Sequence, residues 1–132
     1  MRQPMKLPSD TLDSSKLEFS VVSKIEVSFK YWSSGSECLS DWQQAQLKFL
    51  RKFVDKIQNL TPTEIQTDQG LCYKLHKGKT SSGFSRPAAV SKDIALAEMR
   101  ISGKSRVHGF VESGRFYLVW LDRNHAVFPS GK

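Results

Sequence analysis

Two stretches of this chain alternate between apolar and polar positions, and a third cycles with a helical period. Ile25, Val27, Phe29 and Tyr31 fall on one side of an extended segment, with Glu26, Ser28 and Lys30 opposite. That period of two predicts a half-buried strand. Residues 17–22 read as an earlier strand. From Ser40 the period changes. Trp42, Leu50, Phe53, Val54, Ile57 and Leu60 lie near one stripe, while Gln43, Gln44, Lys48, Arg51, Lys52 and Lys56 take the remaining surface. This predicts an amphipathic helix that packs on a sheet and keeps its basic side in water. Ser40 with Gln43 makes a capping pattern at its start. Thr61-Pro62-Thr63-Glu64 opens a second, short helix, which Gly70 should end. Residues 71–76 read as a strand, 77–85 as a long Gly/Ser/Lys loop, and 93–101 as a strand that stops at Ser102-Gly103.

The C-terminal part reads as a hairpin. Arg106 to Val111 alternate, whereas Phe116-Tyr117-Leu118-Val119-Trp120-Leu121 is apolar or aromatic throughout, the pattern of a strand covered on both faces. A tight turn at Ser113-Gly114 would pair Val111 with Phe116, Gly109 with Leu118 and Val107 with Trp120. The other face then carries Arg106, His108 and Phe110 with Tyr117, Val119 and Leu121. A histidine and an arginine on an otherwise apolar face are the feature that stands out. Asp122 to His125 turns the chain, and Ala126-Val127-Phe128 reads as a short last strand before Pro129. The expected fold is α+β. A single antiparallel sheet of about 4–6 strands packs against one long and one short helix. Residues 1–15 read as a flexible tail and 16–132 as one domain.

Charge sharpens this picture. Residues 1–73 hold nine Lys/Arg and nine Asp/Glu, while 74–132 hold eleven and four, so the whole excess of +7 lies with the unusual sheet. A basic excess attracts polyanions through phosphate contacts, and RNA or the ribosome is the expected partner. Lys74, Lys77, Lys79, Arg86, Arg100, Lys104 and Arg123 are the candidate RNA-binding residues. The N-terminal segment has no apolar run of a signal peptide, and no stretch is long enough to span a bilayer. A cytoplasmic protein without membrane contact is expected. Cys38 and Cys72 lack metal-ligand spacing, which points to a reducing compartment and away from zinc, although a bridge between them stays open.

Gly103-Lys104-Ser105 resembles the end of a phosphate-binding loop, but Glu98 occupies the position that needs glycine, and a strand follows. Carboxylates are sparse in this region, against a metal-dependent nuclease. What remains is Lys104, Arg106, His108, Tyr117, Asp122, Arg123 and His125. Metal-free RNA cleavage needs such groups: a base for the 2′-hydroxyl, cations for the phosphorane, an acid for the 5′-oxygen. Each has a plainer reading. His108 could be a satisfied core histidine, Tyr117 a core aromatic, and Asp122 with His125 a turn closure. Lys74, His76, Lys77 and Lys79 form a basic cluster by the loop that reads first as solvated surface.

The runs Arg100-Ile101, Lys104 to Phe110, Arg115 to Leu121 and His125 to Phe128 resemble the C-terminal sheet of the RelE/ParE toxin superfamily, over roughly the last 35 residues. There an arginine-bearing strand pairs with an apolar one and a histidine-containing turn follows. The resemblance implies a small α+β fold and a metal-independent ribonuclease that cuts mRNA, with a partner antitoxin. It places the catalytic or phosphate positions at Arg106, His108 and His125. No cofactor is implied. The alternative is a non-catalytic basic module that contacts nucleic acid or an acidic protein.

Overall fold

The computed structural model describes residues 24–77 and 83–128. The expected tail, the strand over residues 17–22 and Lys79 lie outside these. The elements run β1 (Glu26–Ser28), α1 (Gln44–Ile57), α2 (Pro62–Thr67), β2 (Lys74–Leu75), β3 (Ala97–Ser102), β4 (Ser105–Glu112) and β5 (Arg115–Asp122). The fold is α+β with one five-stranded sheet in the order β1-β5-β4-β3-β2.

The sheet is mixed, which corrects the antiparallel expectation. The β2–β3, β3–β4 and β4–β5 pairs are antiparallel, but β1 lies parallel to β5, with Val27 opposite Phe116. A parallel pair needs a long crossover. Here the crossover is almost the whole described chain, so no local pattern reveals it. The alternation from Ile25 also breaks early. Trp32 N–H donates to the Phe29 carbonyl in a turn, and Phe29 is exposed while Tyr31 packs on the far side of the sheet.

The long helix starts later than the Ser40 pattern predicts. Leu39–Asp41 form a single 3-10 turn, and α1 begins after Gln43, whose N–H donates to Gln46 Oε1 at 2.8 Å. The Trp42 and Gln43 breaks are local: the Trp42 indole is tied to Glu37 Oε1 at 2.7 Å, which holds the chain extended there. For α2 the expected cap is present, since Glu64 N–H donates to Thr61 Oγ1 and Thr61 N–H to Glu64 Oε1. Segment 71–76 contributes only Lys74–Leu75 as strand. Residues 126–128 form a bend rather than a last strand, and Cys38 and Cys72 are both free and exposed.

Both sheet faces are covered. The helices bury Phe53, Ile57 and Ile65 with Leu71, Met99, Val107, Phe116, Leu118 and Leu121 on one face. On the other, Val90, Leu96 and Val127 close over Phe110, Val119 and Trp120, with Phe84 and Phe128 packed at the margin. The all-apolar β5 therefore has a core on each side, the pattern its sequence predicts.

The hairpin departs from simple register at one point. Val111 faces Phe116 and Gly109 faces Leu118, but the next pair is His108 with Trp120, then Val107 with Leu121 and Arg106 with Asp122. Val119 is the extra residue of a β-bulge. Gly109 permits the close approach: a Cβ there would lie 2.0 Å from the Tyr117 carbonyl oxygen and 2.9 Å from the Phe116 ring.

Candidate functional site

The bulge decides what stands beside His108. In the unbulged register Arg106 faces Leu121, and Asp122 falls on the helix side. With Val119 left over, Trp120 and Asp122 turn to the same face as Arg106 and His108. Glu98 on β3 is the cross-strand partner of His108 on its other side. His76 follows β2, held by its N–H to the Leu96 carbonyl at 2.8 Å. His125 follows β5 in the left-handed region, φ 55°.

These groups form two connected arms. In the first, His108 Nε2 lies 3.0 Å from Asp122 Oδ2, and His108 Nδ1 lies 2.8 Å from His76 Nε2. A carboxylate can only accept, so a neutral His108 donates Nε2–H to Asp122 and accepts Nε2–H from His76 at Nδ1. His76 then keeps its lone pair on Nδ1. His108 is fully buried, whereas His76 is partly exposed among the rings of Phe84 and Phe128. Burial, then His108 and Arg86, push the His76 imidazole down to about 4, so it is neutral at pH 7. Burial alone would raise the Asp122 carboxyl. Hydrogen bonds from His108 and from the Ala126 and Val127 N–H groups outweigh it and hold the group below its usual range. Asp122 Oδ1 accepts from Ala126 N–H at 2.7 Å and Oδ2 from Val127 N–H at 3.1 Å, so the same residue closes the C-terminal turn.

The second arm centres on Glu98, which is 6% exposed. Its Oε2 lies 3.4 Å from His125 Nε2 and 3.8 Å from Arg106 Nε, and its Oε1 is buried without a hydrogen-bond partner. Arg106 donates through one terminal nitrogen to the Gly103 and Ser105 carbonyls at 2.7 and 3.1 Å. A buried carboxylate needs such neighbours to stay ionised. Burial lowers the Arg106 guanidinium, with Glu98 opposing, but arginine keeps its charge.

The three residues proposed for chemistry, Arg106, His108 and His125, therefore share one polar cluster, and it is largely interior. His108 is 0% and His125 9% exposed. The candidate RNA-binding residues divide. Lys74 and Lys77 are exposed beside His76, and Arg100 and Lys104 are exposed at the other end of β3. Arg86 is spent on the Ser91 and Ile94 carbonyls at 2.9 and 2.8 Å, and Arg123 on the Asp41 carbonyl.

Asp122 stood in the sequence constellation, with turn closure as its plainer reading, whereas His76 was read as surface and Glu98 was not singled out as a member of the site. His76 lies 32 residues before His108 and 14 separate His108 from Asp122, and only the sheet order and the bulge bring them together. The one legible signal was polar residues at core-strand positions. No family model matches this chain, and neither a curated protein nor a solved structure matches it. Among the described residues no group of three or more His, Cys, Asp or Glu is placed to hold a metal ion, and no helix is long and apolar enough to cross a membrane.

Proposed function

We propose that this protein is a toxin-like, metal-independent endoribonuclease that acts on mRNA, with His76 as the imidazole that meets the substrate. One observation carries this reading: an Asp122–His108–His76 hydrogen-bonded chain that runs from the interior to a partly exposed ring, with exposed Lys74 and Lys77 close to it in the chain. A base oriented by a second group, itself oriented by a third, is the general logic of an activated proton acceptor. In the proposed step the RNA 2′-hydroxyl gives its proton to His76 Nδ1, and its oxygen bonds to the adjacent phosphorus. The bond from phosphorus to the 5′-oxygen breaks, and that oxygen takes up a proton from solvent water. The products are a 2′,3′-cyclic phosphate and a 5′-hydroxyl. Lys74 and Lys77 would neutralise the phosphorane. His108 and Asp122 act through His76 as positioning residues, and Arg106, Glu98 and His125 hold the layer beneath.

A non-catalytic basic module is the second reading. It is favoured by the burial of His108 and His125 and by the use of Arg86 and Arg123 in holding loops. Expression in a bacterial host tests the first. Induced wild type should arrest growth with loss of full-length mRNA, and His76→Gln should relieve it at equal soluble protein. Undisturbed growth and intact mRNA with the wild type would remove the nuclease reading and leave the binding one.

A further inference from the structure

On the helix side of the sheet, away from the histidines, α1, the turn after α2 and the end of β3 enclose a hollow of about 230 Å³. Phe53 and Ile101 line its apolar part, and Phe49, Lys52 and Lys56 stand around it. Phe49 is 44% exposed at the rim of the hollow. The Lys52 ammonium sits over the Phe49 ring, 5.7 Å from its centroid. Asp68 pairs with Lys56 at 3.0 Å, which leaves Lys52 as the cation beside an accessible aromatic face.

We propose that this hollow binds a nucleotide unit, with its base stacked on Phe49 and its phosphate held by Lys52. This rests on the RNA-directed reading above and adds to it a second contact on the opposite side of the sheet. An aromatic ring with flanking cations is the arrangement that holds single strands, since every base has a face to stack and every unit a phosphate. A base on Phe49 displaces the Lys52 ammonium from the ring, and the displaced charge reaches the phosphate. The volume lies under the roughly 300 Å³ at which pockets begin to enclose whole small molecules, so the hollow suits one unit of a longer strand. The basic side of α1 is then a contact surface rather than a purely solvated one.

Fluorescence anisotropy with a short single-stranded RNA, fully 2′-O-methylated so that it cannot be cut, tests this on the full chain at low and moderate salt. Phe49→Ala should weaken binding about tenfold at both salts. Lys52→Ala should weaken it more at low salt and reduce the salt slope by about one. Both side chains stand at the rim, so circular dichroism should be unchanged. A parallel titration with adenosine monophosphate separates the sources. Equal affinity for the mononucleotide, with the same Phe49 dependence, assigns the hollow to free nucleotides, and much tighter RNA binding assigns it to a strand. Binding unaffected by Phe49→Ala overturns the proposal. So does poly-glutamate that binds as tightly as RNA, since the surface is then a docking site for acidic protein. Cleavage of unmodified RNA is followed separately: binding that depends on Phe49 without cutting keeps the hollow and removes the nuclease, and cutting indifferent to Phe49 and Lys52 does the reverse.

Discussion

Trp120 stands directly opposite His108 across the β4–β5 ladder, one residue out of the phase that the Ser113-Gly114 turn sets. That single displacement moves Asp122 to the histidine face and so creates the Asp122–His108 pair at 3.0 Å. Everything in the polar cluster beyond β4 depends on it.

The bulge depends in turn on Gly109. An added Cβ would meet the Tyr117 carbonyl oxygen at 2.0 Å and the buried Phe116 ring at 2.9 Å. Gly109→Ala should therefore cost about 3 kcal/mol or more, or abolish folding. Urea unfolding of the variant checks this, and a loss under about 1 kcal/mol would show that the ladder relaxes there.

Asp122 binds both His108 and the chain after β5. Asp122→Ala removes the buried carboxylate that His108, Ala126 and Val127 bond to, and should cost about 3–5 kcal/mol. Hydrogen exchange at Ala126 and Val127 should accelerate well beyond the global change. Equal acceleration everywhere would mean that the turn is held by other contacts.

Stability should fall as the solution is acidified below neutrality. The His76 imidazole titrates near 4 in the folded protein and near its ordinary 6.5 when unfolded. Between those values the unfolded chain binds the extra proton, so this contribution is complete above about pH 6.5 and lost as pH falls toward 4. The loss is at most about 3 kcal/mol, less solvent screening of a partly exposed ring. Unfolding at pH 7 and pH 5 should show the fall in wild type and a flatter profile in His76→Gln. Asp122 adds its own loss only below its ordinary carboxylate range, because its folded value is depressed. Identical slopes in the two proteins would show that His76 is protonated in the fold.

At the hairpin tip Ser113 adopts φ 53°, a conformation that serine rarely takes. Ser113→Asn should stabilise by about 0.5 kcal/mol, since asparagine tolerates the left-handed region in such turns. A decrease in melting temperature would contradict this.

Local chemistry was legible in the sequence, and long-range pairing was not. The Thr61 cap, the part of the stripe from Leu50 to Ile57 and the doubly covered β5 follow from neighbours in the chain. The parallel β1–β5 pair does not, because its partners are 89 residues apart, as Glu26 and Arg115 are. Arg106 and His108 were visible as polar residues on an apolar strand. Their companions were hidden by the bulge, since an alternating pattern assigns Asp122 to the wrong face. His76 looked like one member of a surface basic run, because nothing in its neighbourhood signals that β2 docks at the edge of β3 and aims it at His108.

The central claim is that the buried Asp122–His108 pair serves the accessible His76 in RNA cleavage. Purified protein with single-stranded RNA in excess chelator tests it most directly, with product ends identified. Wild type should yield 2′,3′-cyclic phosphate and 5′-hydroxyl ends, and His76→Gln, folded by circular dichroism, should lose about 10²–10⁴-fold in kcat/KM. RNA left intact by the wild type, or cut equally well by His76→Gln, would contradict the account.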